Sequence, residues 1–98
     1  MDKYIEEVVK QIISVVNVNK IILFSKKQNP NGQISSFKLC VIISENDTSR
    51  YEKEIYIKVD SDVPFDVLVF SENEWEKYKC RKDSFCSRIN TVGSVVYE

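Results

Sequence analysis

The chain has 98 residues, the span of one small domain, and its 43% hydrophobic and 30% charged content excludes a linker or a fibrous repeat. Fourteen basic side chains against fifteen acidic ones leave a formal charge of −1, so no overall field calls for nucleic acid or an anionic membrane. Histidine is absent, which removes His-based triads, His general bases and His metal ligands.

Cys40, Cys80 and Cys86 are odd in number and lack Cys-x-x-Cys spacing, so neither a disulfide framework nor a zinc site is expected. They read as reduced thiols, two of them serving as small core residues. The opening MDKYIEEVVK carries five charges, which rules out the apolar core of a secretory signal there, and no run of about 20 apolar residues follows. The expectation is a soluble, cytoplasmic protein with no membrane association.

In chain order, Ile5, Val8, Val9, Ile12 and Val16 recur at three- and four-residue steps and predict an amphipathic helix. Asp2, Glu6 and Glu7 stand at its start, where carboxylates offset the helix dipole. Lys20–Phe24 is a short apolar run with the form of a buried strand. Residues 25–36 read as a polar loop in which Asn29-Pro30-Asn31-Gly32 is the clearest turn signal. A second strand covers Phe37–Ile43. Residues 48–58 suggest a helix capped by Asp47 or Thr48, with Tyr51, Ile55 and Tyr56 as its apolar face. For Glu54–Val59 the alternation of Ile55, Ile57 and Val59 supports a strand nearly as well.

Pro64–Phe70 forms a third strand. Ser71 followed by Glu74 is a capping box that opens a short helix through Trp75 and Tyr78. A last helix runs from about Ser84 to Thr91 and stops at Gly93, and Val95–Tyr97 ends the chain as a short edge strand. Strands alternating with helices at this spacing predict a single α/β domain with a small mixed sheet flanked by helices.

This order of elements resembles the minimal nucleotidyltransferases of the polymerase-beta-like superfamily. Those proteins open with a helix and a strand ending in Leu-Phe-Gly-Ser, continue through a polar loop and helix, and place Ser-Asp-x-Asp-Leu on the second strand. Here Lys20–Phe24 lines up with the first strand, SSFKLCVI (residues 35–42) with the second, and FDVLVF (residues 65–70) with the third. SENEWEKY is similar to the helix that follows, and NTVGSVVYE to the closing segment.

Nucleotidyl transfer uses divalent ions to neutralise charge on both sides of the displacement. Two carboxylates one residue apart on a strand share a face and supply hard oxygen ligands, and a third comes from a neighbouring strand. In this sequence the Gly-Ser positions have become Ser25-Lys26, and the paired carboxylates have become Ser36 and Lys38. Only Asp66 remains, as a relic of the third. No Asp or Glu lies between Ile21 and Ser44, so shifting the alignment restores nothing.

The resemblance therefore implies a catalytically degenerate member with no metal site. It would act as an interaction or regulatory module. A helical HEPN-type protein, as in some toxin–antitoxin pairs, or a second copy of the chain is the partner it implies. The alternative is an active or nucleotide-binding transferase with an atypical site, in which Ser25, Lys26 and Lys38 hold phosphate; magnesium belongs only to that reading. Lys38 has two readings, a cation standing in for the metal with Lys26 and Lys27 beside it, or the partner of Asp66 in a cross-strand ion pair.

Charge also segregates. Residues 45–76 carry ten acidic and three basic side chains, whereas Lys77, Lys79, Arg81, Lys82 and Arg88 cluster at residues 77–88 with Asp83 alone against them. The basic cluster lacks interleaved stacking aromatics, so a solvated face is expected and nucleic acid is not. Trp75, Tyr78 and Phe85 suit either core packing or an interface anchor.

Overall fold

A computed structural model describes residues 2–98. The elements are α1 (Lys3–Val15), β1 (Val18–Gln28), β2 (Ile34–Ile43), α2 (Thr48–Lys58), β3 (Phe65–Ser71), α3 (Glu72–Lys79), α4 (Phe85–Val92) and β4 (Ser94–Tyr97). They form an α/β fold around one mixed four-stranded sheet in the order β3-β2-β1-β4. β2 is antiparallel to β1 and parallel to β3, and β4 is antiparallel to β1.

β2 organises both layers. Its Phe37, Leu39, Val41 and Ile43 face a core built with Ile5, Val8, Val9 and Ile12 of α1 and Ile55 of α2. Cys40 and Ile42 face the other way, against Trp75 of α3 and Cys86 and Ile89 of α4. Period-two alternation thus buries one strand on both sides. Trp75 is 2% exposed, and truncating so large a buried side chain typically costs about 3–5 kcal/mol.

Side chains cap the helix starts, Asp47 and Ser71 as the sequence suggested and Asp2 in addition. Asp2 accepts the Tyr4 N–H at 2.8 Å, and Asp47 accepts that of Arg50. At α3, Ser71 Oγ accepts the Glu74 N–H (3.1 Å) while Glu74 Oε1 accepts the Ser71 N–H (3.0 Å), the reciprocal capping box. Gln11 clamps α1 to the chain after α2, donating to the Asp60 carbonyl at 2.7 Å and accepting the Asp60 N–H at 2.8 Å.

Residues 54–59 are helical up to Lys58, not a strand. Parallel strands cannot be joined by a tight turn; they need a crossover, and α2 supplies it between β2 and β3. The helix leaves Ile57 79% exposed, a cost that local alternation argued against.

The loop expected over residues 25–36 is a correction. β1 continues to Gln28 and β2 begins at Ile34, so the two strands form a long hairpin. Within the turn, the Asn29 N–H donates to the Gln33 carbonyl (2.7 Å) and the Gly32 N–H to the Asn29 carbonyl (2.9 Å). Gly32 has φ +84°, a conformation open to glycine. The hairpin arms are polar because much of their length extends past the helices, and polar strand ends resemble loops in sequence.

Gly93 ends α4 for a reason other than a left-handed cap: its backbone is extended, with φ −77° and ψ 161°. A Cβ there would collide with the Ile22 side chain and lie 2.6 Å from the Ile89 carbonyl. The missing side chain lets α4 turn directly onto β1. Gly93→Ala is expected to lower stability by about 1–3 kcal/mol through overpacking, read as a reduced urea midpoint with an unchanged m-value.

The thiols divide as their burial dictates. Cys40 and Cys86 are buried and Cys80 is exposed, all three free. Burial, with the Cys86 thiol adding to it, pushes the Cys40 thiol up to about 12 from 9.0. Because the folded value is the higher one, its contribution to stability is complete below pH 9 and is lost as pH rises from 9 towards 12. Iodoacetamide on the native protein at pH 8 is expected to add one adduct, at Cys80, and three after unfolding, as counted by mass spectrometry.

Candidate functional site

Four of the predicted positions meet on one stretch of sheet. Ser36 and Lys38 are two apart on β2 and so share a face. Lys38 lies in register with Asp66 on the parallel neighbour β3, and with Ser25 on the antiparallel neighbour β1. This is the face that carries Cys40 and Ile42, beyond the area that α3 and α4 cover.

A bulge shapes the β1 side. Leu23 pairs with Leu39 and Ser25 with Lys38, so Phe24 is the extra residue and two residues of β1 oppose Lys38 alone. Phe24 packs edge-to-face on Phe85 at the start of α4, with ring centroids 5.8 Å apart. Ser25 and Lys26 are thereby corrected from a turn to strand positions. Lys26 pairs with Phe37 and, with Ser25, Val92 and Ser94, lines a separate hollow of about 200 Å³.

Lys38 and Asp66 line a cavity of about 320 Å³ together with Phe24, Glu52, Tyr56, Val67, Leu68 and Phe85. Glu52 and Tyr56 come from α2, where four-residue spacing puts both on one side of the helix. Tyr56 also secures the free edge of β3. Its hydroxyl accepts the Val67 N–H at 2.8 Å and donates to the Val67 carbonyl at 3.4 Å, and its ring stacks on Phe65 at 6.0 Å. Burial raises the Tyr56 phenol above its usual 10.0, and the nearby Asp66 and Glu52 carboxylates add to that, while the bond from Val67 opposes it.

The ion pair expected between Lys38 and Asp66 is not made. Among the described residues the ion pairs are Lys10–Glu6, Lys20–Glu98 and Lys79–Glu76, so both groups face the cavity without that neutralisation. Among the described residues no three His, Cys, Asp or Glu side chains gather in a metal-binding group. Lys38 brings an ammonium into the same cavity as the Asp66 and Glu52 carboxylates, where it repels a divalent cation.

Sequence reasoning missed Glu52, Tyr56, Phe24 and Phe85. The spacing of Glu52 and Tyr56 was legible, but only the crossover brings α2 alongside β3. The basic residues 77–88 form no groove with the cavity. Lys77 and Arg81 lie over the Tyr78 ring at 5.5 and 4.8 Å, and Lys79 pairs with Glu76 at 3.0 Å. Trp75 is core, Tyr78 is half-buried, and Phe85 is 54% exposed.

Comparison with protein-family models, curated proteins and solved structures finds no match to this chain. Among the described residues no helix is long and apolar enough to cross a membrane.

Tyr56→Phe removes the hydroxyl that bonds the Val67 backbone at the sheet edge. The variant is expected to lose about 1 kcal/mol of stability in urea unfolding. It should also show faster hydrogen exchange of the Val67 amide than of its neighbours on β3.

Proposed function

We propose that this chain is a non-catalytic module of nucleotidyltransferase-like architecture, acting through binding rather than group transfer. The observation that carries the reading is Lys38 in register with Asp66, at positions where the resembled enzymes need metal-binding carboxylates. Relative to that pattern, one charge is neutralised at Ser36 and one reversed at Lys38. Each unit at close range is worth on the order of a few kcal/mol against a cation at an effective dielectric of about 20. The hairpin through Ser25 and Lys26 supports the same reading, because it replaces the Gly-Ser turn of the resembled enzymes with extended strand.

The partner in this reading is a helical protein of the HEPN type or a second copy of the chain. Phe85, Val92 and Val95 stay exposed on α4 and the strand that follows it, which gives an association surface its apolar residues. The competing reading, a nucleotide held by Ser25, Lys26 and Lys38, is disfavoured by the carboxylates of Asp66 and Glu52 in the same cavity as Lys38.

Thermal unfolding with millimolar ATP, GTP, CTP or UTP, each with and without magnesium, separates the two. No magnesium-dependent change in Tm is expected. Saturating binding at a hundred times Kd adds about 2.7 kcal/mol, a rise of roughly ten degrees or more for a domain this size. Such a rise with magnesium, or incorporation of labelled nucleotide that Asp66→Ala abolishes, overturns the proposal.

A further inference from the structure

The cavity beside Lys38 combines both signs of charge with an apolar wall. We infer that it binds a free apolar α-amino acid. Its carboxylate meets Lys38, its ammonium meets Asp66 and Glu52, and its side chain lies against Phe24, Leu68 and Phe85.

Charge spacing is the first support. Lys38 and Asp66 are register partners on adjacent strands, whose backbones run about 5 Å apart, and they share a face. Both side chains are exposed, where an ion pair contributes little and need not close. Here neither enters an ion pair among the described residues. A zwitterion whose two charges flank a single carbon satisfies both at once.

Charge count is the second. The lining holds one ammonium and two carboxylates, so a polyphosphate meets net repulsion. The extra carboxylate suits a ligand ammonium, which has three N–H donors and no acceptor and is best held by more than one oxygen. Glu52 stands on α2, which is fixed at this point by the Tyr56 bonds to Val67.

The third support is the apolar wall. Phe85 is 54% exposed and lines the cavity beside Phe24, on which it packs edge-to-face. An aliphatic or aromatic side chain placed there removes that surface from water. At about 320 Å³ the cavity lies at the small end of ligand pockets, roughly 300–1,000 Å³, a size that suits an amino acid. The inference does not depend on the nucleotidyltransferase reading: a magnesium-dependent nucleotide effect would remove that reading and leave this one to its own test.

Titration of the labelled protein with L-leucine, L-phenylalanine, leucinamide and N-acetyl-leucine, followed by amide NMR, decides it. Leucine and phenylalanine should produce saturable shifts centred on Phe24, Leu68 and Phe85. Leucinamide lacks the carboxylate and N-acetyl-leucine lacks the ammonium, so each should bind about tenfold or more weaker. In Lys38→Met the gap between leucine and leucinamide should close, and in Asp66→Asn the gap between leucine and N-acetyl-leucine should narrow. A dispersed spectrum shows that each variant is folded; where one is not, the ligand series on the wild-type chain decides alone. Absence of saturable shifts with leucine and phenylalanine overturns the inference. So does N-acetyl-leucine binding as tightly as leucine. Leucinamide equal to leucine on the wild-type chain also overturns it, and makes a peptide N-terminus the ligand instead.

Discussion

Burial of β2 on both faces is the constraint from which the remaining architecture follows. A strand whose alternate residues are Phe37, Leu39, Val41 and Ile43 on one side and Cys40 and Ile42 on the other needs cover from two layers. α1 and α2 supply one layer, α3 and α4 the second. Because β2 is central, it also needs a strand on each side. One comes from the hairpin with β1, and the other is β3, whose parallel direction demands the α2 crossover.

Lys38 interrupts that apolar run, and the candidate site is the consequence. The helices of the second layer are only eight residues each, and Lys38 and Asp66 stay exposed beside them. What they leave open contains Lys38 and Asp66. Its walls are Phe24 and Phe85 on one side and Glu52 and Tyr56 around the edge of β3 on the other. Polar groups are tolerated there because water reaches them, whereas two residues further along β2, at Cys40, the strand is sealed.

The proposed binding role rests on the same geometry. A group-transfer site for nucleotides needs concentrated negative charge to hold metal and free amides to hold phosphate. The cavity instead mixes one cation with two carboxylates. Mixed charge beside apolar rings favours recognition of a small molecule that itself carries both signs.

By itself the sequence determined the α/β class, a cap at Asp47 or Thr48, the capping box at Ser71 and the apolar stripe of α1. It also determined the three central strand segments. These features depend on residues within a few positions of one another, where spacing and side-chain chemistry act directly. It further placed Lys38 and Asp66 on strands, since period two needs no partner to be read, whereas Ser36 fell in the expected loop and joins β2 only in the structure. Tertiary structure alone decided that the polar residues 25–28 continue a strand, because their hydrogen bonds are made to β2 rather than to local neighbours. It decided that residues 54–58 are helical against their own alternation, since a parallel pair must be bridged. It also decided that Glu52 and Tyr56 join Lys38 and Asp66, and that Lys38 and Asp66 stand side by side without pairing. Register and crossover bring together groups far apart in the chain, and no local pattern encodes that distance.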